Sequence, residues 1–378
     1  MLLQVSKTLT GLQSLAYIEI IQHGIRFSSS TAGATEKIGF MGLGAMGHRM
    51  AKHLLDAGKN LVVYDSNRFA IDRLLEDATA VAATGGPGTV ESARSPADLA
   101  ETRGMTVVFT MLPGPTAARR AYLGPDGLLA ASGGLVPRVL VDCTTLDPPT
   151  ARELEGRVRS TRISPAAGPP LPGLAAETPA LLDAPVTGGI VGADKGTLSF
   201  LVGGEQAALP VVEPLLKVMG SKIIWCGDAG DAQAARLCNT LVQAATMAAT
   251  AEALALARRL GVDPGVMTRV LNSGSGGSWV SREYNPVPGL TPDAPASHGY
   301  RGGLRSAQVL EHLTMALSAA EKSNSPMPVC RNIQALYSNV VEEGLGDQDF
   351  ASIYRYVYGS GSSSHEWRSG EQLFNSTH

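Results

Sequence analysis

The sequence predicts an α/β protein: an N-terminal Rossmann domain with a doubly wound parallel sheet, a long interdomain helix and an all-α C-terminal domain. Three observations carry this. A short apolar strand near residue 37 runs into a glycine-rich turn that opens a helix. Further apolar strands alternate with helical segments as far as residue 226, the pattern of βαβ units. After Gly230 comes a long Ala- and Leu-rich run without a single Gly or Pro, which favours one continuous helix.

The first strand is Lys37-Ile38-Gly39-Phe40-Met41. It leads into Gly42-Leu43-Gly44-Ala45-Met46-Gly47, and a helical pattern through Met50, Leu54 and Leu55 ends at Gly58. Leu61-Val62-Val63-Tyr64 reads as the second strand, closed by Asp65, and completes one βαβ unit. Further strands are predicted at Thr106–Met111, Val139–Asp142, Leu181–Ala184 and Leu198–Val202. The Pro/Gly/Ala-rich stretch between 161 and 180 can be neither helix nor central strand, and is expected as a surface loop.

Residues 231–260 give a helix of roughly 45 Å at 1.5 Å per residue. It is apolar nearly all round, as expected of a helix at a domain or subunit junction. Gln233, Arg236, Gln243 and Glu252 within it argue against a membrane span. More helices are expected near 264–272, 304–322 and 328–343, and the Ser/Gly-rich tail from Gly359 is expected to be disordered. The chain thus divides into 1–35, a dinucleotide-binding domain over 37–226, a helical domain over 227–358 and a tail over 359–378.

Composition narrows the function. With 378 residues, 44% hydrophobic and 17% charged, the chain is long enough for two globular domains. A net charge of −3 and no dense basic run exclude the electrostatic footprint of a nucleic-acid binder. Cys143, Cys226, Cys238 and Cys330 are scattered, forming neither a metal pattern nor a disulfide framework, so no metal is expected. Residues 1–35 hold Lys7, His23 and Arg26, many Ser and Thr, and Glu19 as the one acid. With Arg26-Phe27-Ser28-Ser29-Ser30 resembling a processing site, this stretch reads either as a mitochondrial transit peptide or as a disordered N-terminus. The expected location is mitochondrial on the first reading and cytoplasmic on the second.

The glycine-rich turn carries the clearest chemistry, because it follows a strand and opens a helix. Gly42 permits the tight turn, Gly44 lets backbone approach a pyrophosphate, and Gly47 lets the helix pack on the strand. The helix N-terminus offers free N–H groups to the phosphates. Asp65 lies eighteen residues after Gly47, where a carboxylate accepts hydrogen bonds from a ribose diol and repels a 2′-phosphate, favouring NAD over NADP. Arg68 could pair a 2′-phosphate or be a solvated loop charge.

With these residues in place, the chain resembles the β-hydroxyacid dehydrogenases. The likeness runs over about 37–358, through IGFMGLGAMGHRMAKHLLDAG, TMLPGP, VDCTTLDPPTARELE, LLDAPVTGGIVGADKGTLSFLVGG and AEALALARRLGVDP. YNPVPG and the later YRGG point to the 3-hydroxyisobutyrate branch. The resemblance implies NAD-dependent oxidation of 3-hydroxyisobutyrate, or a related small β-hydroxyacid, to a semialdehyde, a step of valine catabolism. It also implies a homodimer or homotetramer. It places cofactor contacts on Gly42, Leu43, Gly44, Ala45, Met46, Gly47, Asp65, Leu112, Pro113 and Thr145. Its substrate loop falls on Thr187, Gly188 and Gly189, with Thr187 where the family usually has Ser; a hydroxyl and two N–H groups there could hold a carboxylate.

The resemblance breaks where protons move. The family places a lysine on the interdomain helix, and Arg236 stands there; an asparagine is expected one turn later, and Thr240 stands there with Asn239 just before it. A second lysine, expected in a segment that closes over the nicotinamide, is replaced by Glu311, followed by His312. Arginine stays protonated, so Arg236 can polarise an oxygen or clamp a carboxylate but is a poor proton acceptor. His312 is the best substitute base by its intrinsic pKa. Three readings stay open: a dehydrogenase with weakened or rerouted proton transfer, one for a larger or more acidic β-hydroxyacid, and a non-catalytic NAD-binding homologue.

Overall fold

The structure, a computed structural model, describes residues 36–359. The transit-peptide expectation and all but the first residue of the expected tail lie outside the described residues. In the first half the chain runs β1 (Lys37–Met41), α1 (Ala45–Asp56), β2 (Asn60–Tyr64), α2 (Arg68–Ala83), β3 (Thr89–Ser92), α3 (Pro96–Glu101), β4 (Met105–Thr110) and α4 (Pro115–Leu123). It continues through β5 (Val139–Asp142), α5 (Pro148–Arg159), β6 (Ala180–Asp183), β7 (Val186–Thr187), α6 (Gly189–Asp194), β8 (Leu198–Gly204), α7 (Leu209–Met219) and β9 (Gly220–Gly227). The helical half holds α8 (Asp231–Arg259), α9 (Pro264–Ser273), α10 (Trp279–Glu283), α11 (Ser306–Lys322), α12 (Pro328–Val340) and α13 (Ile353–Gly359).

The strands form one sheet in the order β3-β2-β1-β4-β5-β6-β8-β7, with β9 also paired to β8. From β3 to β6 every pairing is parallel. Side chains alternate between two cores. Ile38, Phe40, Leu61, Val63, Phe109 and Val141 face one layer of helices, while Met41, Val62, Val108, Leu140 and Leu181 face the other. Period-2 burial on both faces is why these strands read as near-continuous apolar runs. The far edge differs from the all-parallel expectation, because β8 runs antiparallel to β6 and β7. Strands β3, polar, β7, two residues long, and β9, with the apolar run Ile223-Ile224-Trp225-Cys226, are additional to the expected ones. The predicted strand bounds shift by one residue, to Met105–Thr110 and Ala180–Asp183.

The ends of the parallel strands share one edge. Met41 pairs with Tyr64 and Thr110, Thr110 with Asp142, and Asp142 with Asp183. The loops leaving those strands therefore line a single crevice, where open α/β sheets bind ligands. Residues 161–179 form no helix and no strand beyond a single bridge from Ile163 to Leu135; Arg138 pins this stretch by donating to the Gly168 and Ala176 carbonyls.

Helix α8 starts where Gly230 adopts φ 87° and donates its N–H to Asp183 Oδ1 at 3.0 Å. Its Leu237, Ala244, Met247, Ala251 and Leu254 enter a third core with residues of α11, α12 and α13. The helix is long and apolar enough to cross a membrane by length and composition, and half of its apolar window is buried inside the fold. It is not covered on every side: Val242 and Leu256 are 61% and 58% exposed. Helix α11 starts at Ser306, two residues later than expected, and α12 gives way at Val340 to a wide turn containing Gly344 at φ 79°.

Candidate active site

The crevice begins at the glycine-rich turn. Gly42 adopts φ 93°, and a Cβ there would run into the Met111 carbonyl. A Cβ on Gly47 would run into the Gly42 carbonyl, whereas one on Gly44 would meet nothing within 4 Å. So two glycines are demanded by the protein's own backbone, and the third leaves open space before the first turn of α1. No side chain caps that turn, so its N–H groups face outward, as a pyrophosphate requires. These residues fit a dinucleotide. Ala45 is exposed and Met46 half-buried on that turn, while Leu43 is wholly buried and offers only its backbone.

Asp65 stands beside the turn. Its Oδ2 accepts from Leu43 N at 2.6 Å and its Oδ1 from Asn67 N at 2.7 Å, leaving lone pairs for a ribose diol. Arg68 pairs with Asp72 at 2.9 Å, one turn along α2, so its charge is already engaged.

The neighbouring loops are bound to each other and to α8. Leu112 N donates to Thr144 Oγ1 at 3.0 Å, and Thr144 N to Asp142 Oδ1 at 2.9 Å. Gln233 spans the next step: its Nε2 donates to Thr144 O at 2.9 Å and its Oε1 accepts from Leu146 N at 2.8 Å. Thr145, half-buried, is held between those two bonds. Pro113 is exposed beside buried Gly114. Burial raises the carboxyl pKa of both Asp142 and Asp183 to about 6. Asp142, Thr144 and Gln233 escaped sequence reasoning; the available signal was a glutamine in the first turn of an apolar helix, read only as an argument against membrane insertion.

The loop expected to hold substrate is followed by a helix anchored to α1. Thr187 is half-buried, and Gly188 and Gly189 are exposed with φ of 125° and 61°. Immediately after them, α6 is tied to α1 by Arg49 Nε to Asp194 Oδ1 at 2.5 Å and by His53 Nε2 to Ala193 O at 2.9 Å.

Helices α8 and α11 carry the residues expected to depart from the family pattern. Arg236 is 6% exposed; its Nη1 donates to Thr240 Oγ1, which itself donates to Arg236 O at 3.1 Å. Its Nε has no hydrogen-bond partner, and burial lowers its pKa to about 10. His312 is buried close enough for Arg236 to act on its charge: burial first, then Arg236, push its pKa down to about 3, and its Nδ1 is unpartnered. This corrects the expectation that His312 is a base by intrinsic pKa, because its surroundings hold it neutral and weakly basic. Asn239 is exposed while Arg236 and Thr240 are buried, so the three do not form one cluster. Glu311 is exposed at the rim, and a Cβ on Gly114 would lie 2.9 Å from its Oε1. Its carboxyl is partly withdrawn from water, which raises its pKa above the ordinary carboxyl value against an opposing pull from Arg305.

The two tyrosine motifs lie in the helical half. Tyr300 donates to the Pro286 carbonyl at 2.8 Å, and Tyr284 to Asp349 Oδ2 at 2.9 Å. They brace the loops that lead into α11.

Comparison with known proteins agrees with this arrangement. Residues 37–169 and 172–227 match the family model described as the NAD binding domain of 6-phosphogluconate dehydrogenase. Residues 230–357 match that described as NAD-binding of NADP-dependent 3-hydroxyisobutyrate dehydrogenase. The probable mitochondrial 3-hydroxyisobutyrate dehydrogenase of Arabidopsis thaliana is 36% identical over 335 residues, 88% of this chain and 91% of that one. The chain belongs to the 3-hydroxyisobutyrate dehydrogenase family. The Pseudomonas aeruginosa 3-hydroxyisobutyrate dehydrogenase is 38% identical over 85% of this chain and 98% of its own. A structure of the Mycobacterium tuberculosis 3-hydroxyisobutyrate dehydrogenase with L-serine superposes with a TM-score of 0.69 at 31% identity, covering 85% of this chain and 99% of that one. The family is one of NAD-dependent oxidoreductases, and this member carries its NAD-binding domains.

Proposed function

We propose that this protein oxidises 3-hydroxyisobutyrate, or a related small β-hydroxyacid, to the corresponding semialdehyde with NAD, as in valine catabolism, and that proton transfer is rerouted. The observation that carries the reading is the Gln233 strap. It fixes the loop bearing Thr145 to the helix bearing Arg236 through two bonds, 2.8 and 2.9 Å, so the cofactor crevice and the substituted residues belong to one site.

Bound NAD supplies the acceptor for the hydride. The first turn of α1 holds its phosphates and Asp65 its ribose; with Arg68 engaged by Asp72, this favours NAD over NADP. Thr187 and the backbone of Gly188 and Gly189 hold the substrate carboxylate. Arg236 adds a fixed positive charge and keeps its proton at neutral pH. His312, with a pKa of about 3, does not take the alcohol's proton. That leaves Glu311, whose proton affinity burial raises, as the acceptor we assign.

We further infer self-association through the helical half, as a homodimer or homotetramer. Helix α9 has no buried residue and exposes Val266 and Val270, while Val242 and Leu256 project from α8. Light scattering of the purified protein checks this. A mitochondrial location follows the naming of relatives such as the Arabidopsis protein and the composition of residues 1–35; imaging of a C-terminally tagged chain checks it.

Full-length protein should form NADH from NAD and 3-hydroxyisobutyrate, and Arg236→Lys should raise that rate. Cofactor binding without turnover on any β-hydroxyacid would leave the non-catalytic reading standing.

A further inference from the structure

The strongest unexplained feature is a buried positive charge. Arg236 has no ion pair among the described residues; its one side-chain hydrogen bond goes to neutral Thr240, and its Nε is orphaned. No acid contributes to its pKa, which burial alone lowers. The adjoining His312 is neutral, and its Nδ1 is orphaned as well. Two buried polar atoms without partners therefore lie on the facing helices α8 and α11, in residues near enough for the charge of one to act on the other. A buried cation without a counter-charge is costly to the fold, and a core of this size has ample means to avoid one. A planar guanidinium with free donors is suited to a carboxylate, which it grips through two parallel N–H···O bonds.

We propose that Arg236 is the receptor for a second carboxylate on the substrate, so that the preferred substrates are β-hydroxyacids bearing two acid groups. This rests on the reading above, in which Thr187, Gly188 and Gly189 take the carboxylate that stands one carbon away from the reacting carbon. The second acid group neutralises Arg236 and offers acceptor oxygens to its guanidinium. In such a substrate the primary alcohol is still oxidised to the aldehyde, the hydride passing to NAD and the proton to Glu311. A substrate with one carboxylate leaves Arg236 unpaired and binds less tightly. Lysine in the same place would offer a point charge without the fork.

Two measurements test this, one of them independent of turnover. In thermal unfolding without cofactor, succinate against chloride at equal ionic strength should stabilise the wild type and leave Arg236→Met unmoved. In chloride alone, Arg236→Met should be at least as stable as the wild type, because it removes an unpaired buried charge. In steady-state assays, kcat/KM for hydroxymethylsuccinate should exceed that for 3-hydroxyisobutyrate by at least about ten-fold. Arg236→Lys should erase most of that margin. An Arg236→Met protein less stable than wild type in chloride would make the arginine a structural residue and overturn the proposal. So would equal stabilisation of both proteins by succinate, or preference for the monocarboxylate. Succinate stabilisation that requires Arg236, in a protein that turns over neither substrate, would support the anion site while removing the oxidation reading. Turnover of 3-hydroxyisobutyrate with no response to succinate would do the reverse.

Discussion

The sheet edge and the face formed by α8 and α11 meet at the same crevice but are finished differently. On the sheet edge Asp65 takes two backbone N–H groups, Thr144 and Gln233 close a chain of bonds from Leu112 to α8, and the buried carboxyls of Asp142 and Asp183, each with its Oδ2 unpartnered, still accept through Oδ1 and so keep a partner. On the helical face, Arg236 Nε and His312 Nδ1 have none. A cofactor site built from backbone geometry tolerates little change, because its glycines are demanded by neighbouring carbonyls. A site built from side chains on two helices is free to change those side chains while the helices keep their packing. Binding and chemistry thus diverge separately within one fold.

The largest expected effect lies on the sheet edge. Gly47→Ala places a methyl group against the Gly42 carbonyl, and overpacking of backbone against backbone costs about 1–3 kcal/mol or more. Displacement of the turn should abolish measurable NAD binding in a fluorescence titration. Normal affinity in this variant would mean that the turn does not hold the cofactor. On the helical face, Glu311→Gln should lower kcat by about 10²-fold or more and leave NAD affinity unchanged. It should also remove the acid limb of the pH–rate profile. A kcat close to wild type would take Glu311 out of proton transfer.

Between the two regions stands Gln233. Replacing it by Leu leaves the Thr144 carbonyl and the Leu146 N–H without partners in a buried place, at about 1–3 kcal/mol each. Thermal unfolding should show the loss, and the KM for NAD should rise more than kcat falls. The opposite split would mean that the strap serves the substrate side.

Much of the first region was legible in the chain. A strand, three spaced glycines and a helix form a local unit, so Gly42, Gly44 and Gly47 could be assigned from their order alone. Asp65 followed because it closes the next strand. Gln233 was hidden because its partners, Thr144 and Leu146, lie nearly ninety residues away in sequence; only the fold brings them together. The identities of Arg236, Glu311 and His312 were readable as departures from a pattern, but their charge states were not. Nothing in the sequence states that His312 lies beside a buried guanidinium, and that neighbour, together with burial, reverses the expectation of a base. The strands β3 and β7 were missed for a related reason, since one is polar and the other two residues long and both are set by partner strands, whereas the short apolar run Ile223-Ile224-Trp225-Cys226 of β9 was a signal that went unread.

The last expected effect separates the regions by the sign of their pH response and is read on stability alone. Asp142 and Asp183 have folded pKa values of about 6, above the roughly 3.9 of an unfolded aspartate. As pH falls from 6 to 4 the folded form takes up their protons first, so these groups make the fold relatively more stable in acid. Asp349, at about 7, acts in the same sense. His312, at about 3, lies below the roughly 6.5 of an unfolded histidine. Over the same interval the unfolded chain takes up that proton first, and the fold loses stability. Each group changes the slope by up to about 1.4 kcal/mol per pH unit. His312→Leu removes the one opposing contribution among these four. Its stability relative to wild type, measured by urea unfolding at pH 6.5 and pH 4, should therefore rise on acidification. An unchanged difference between the two proteins would mean that His312 exchanges its proton with solvent in the folded state, and that the buried site around Arg236 is open to water.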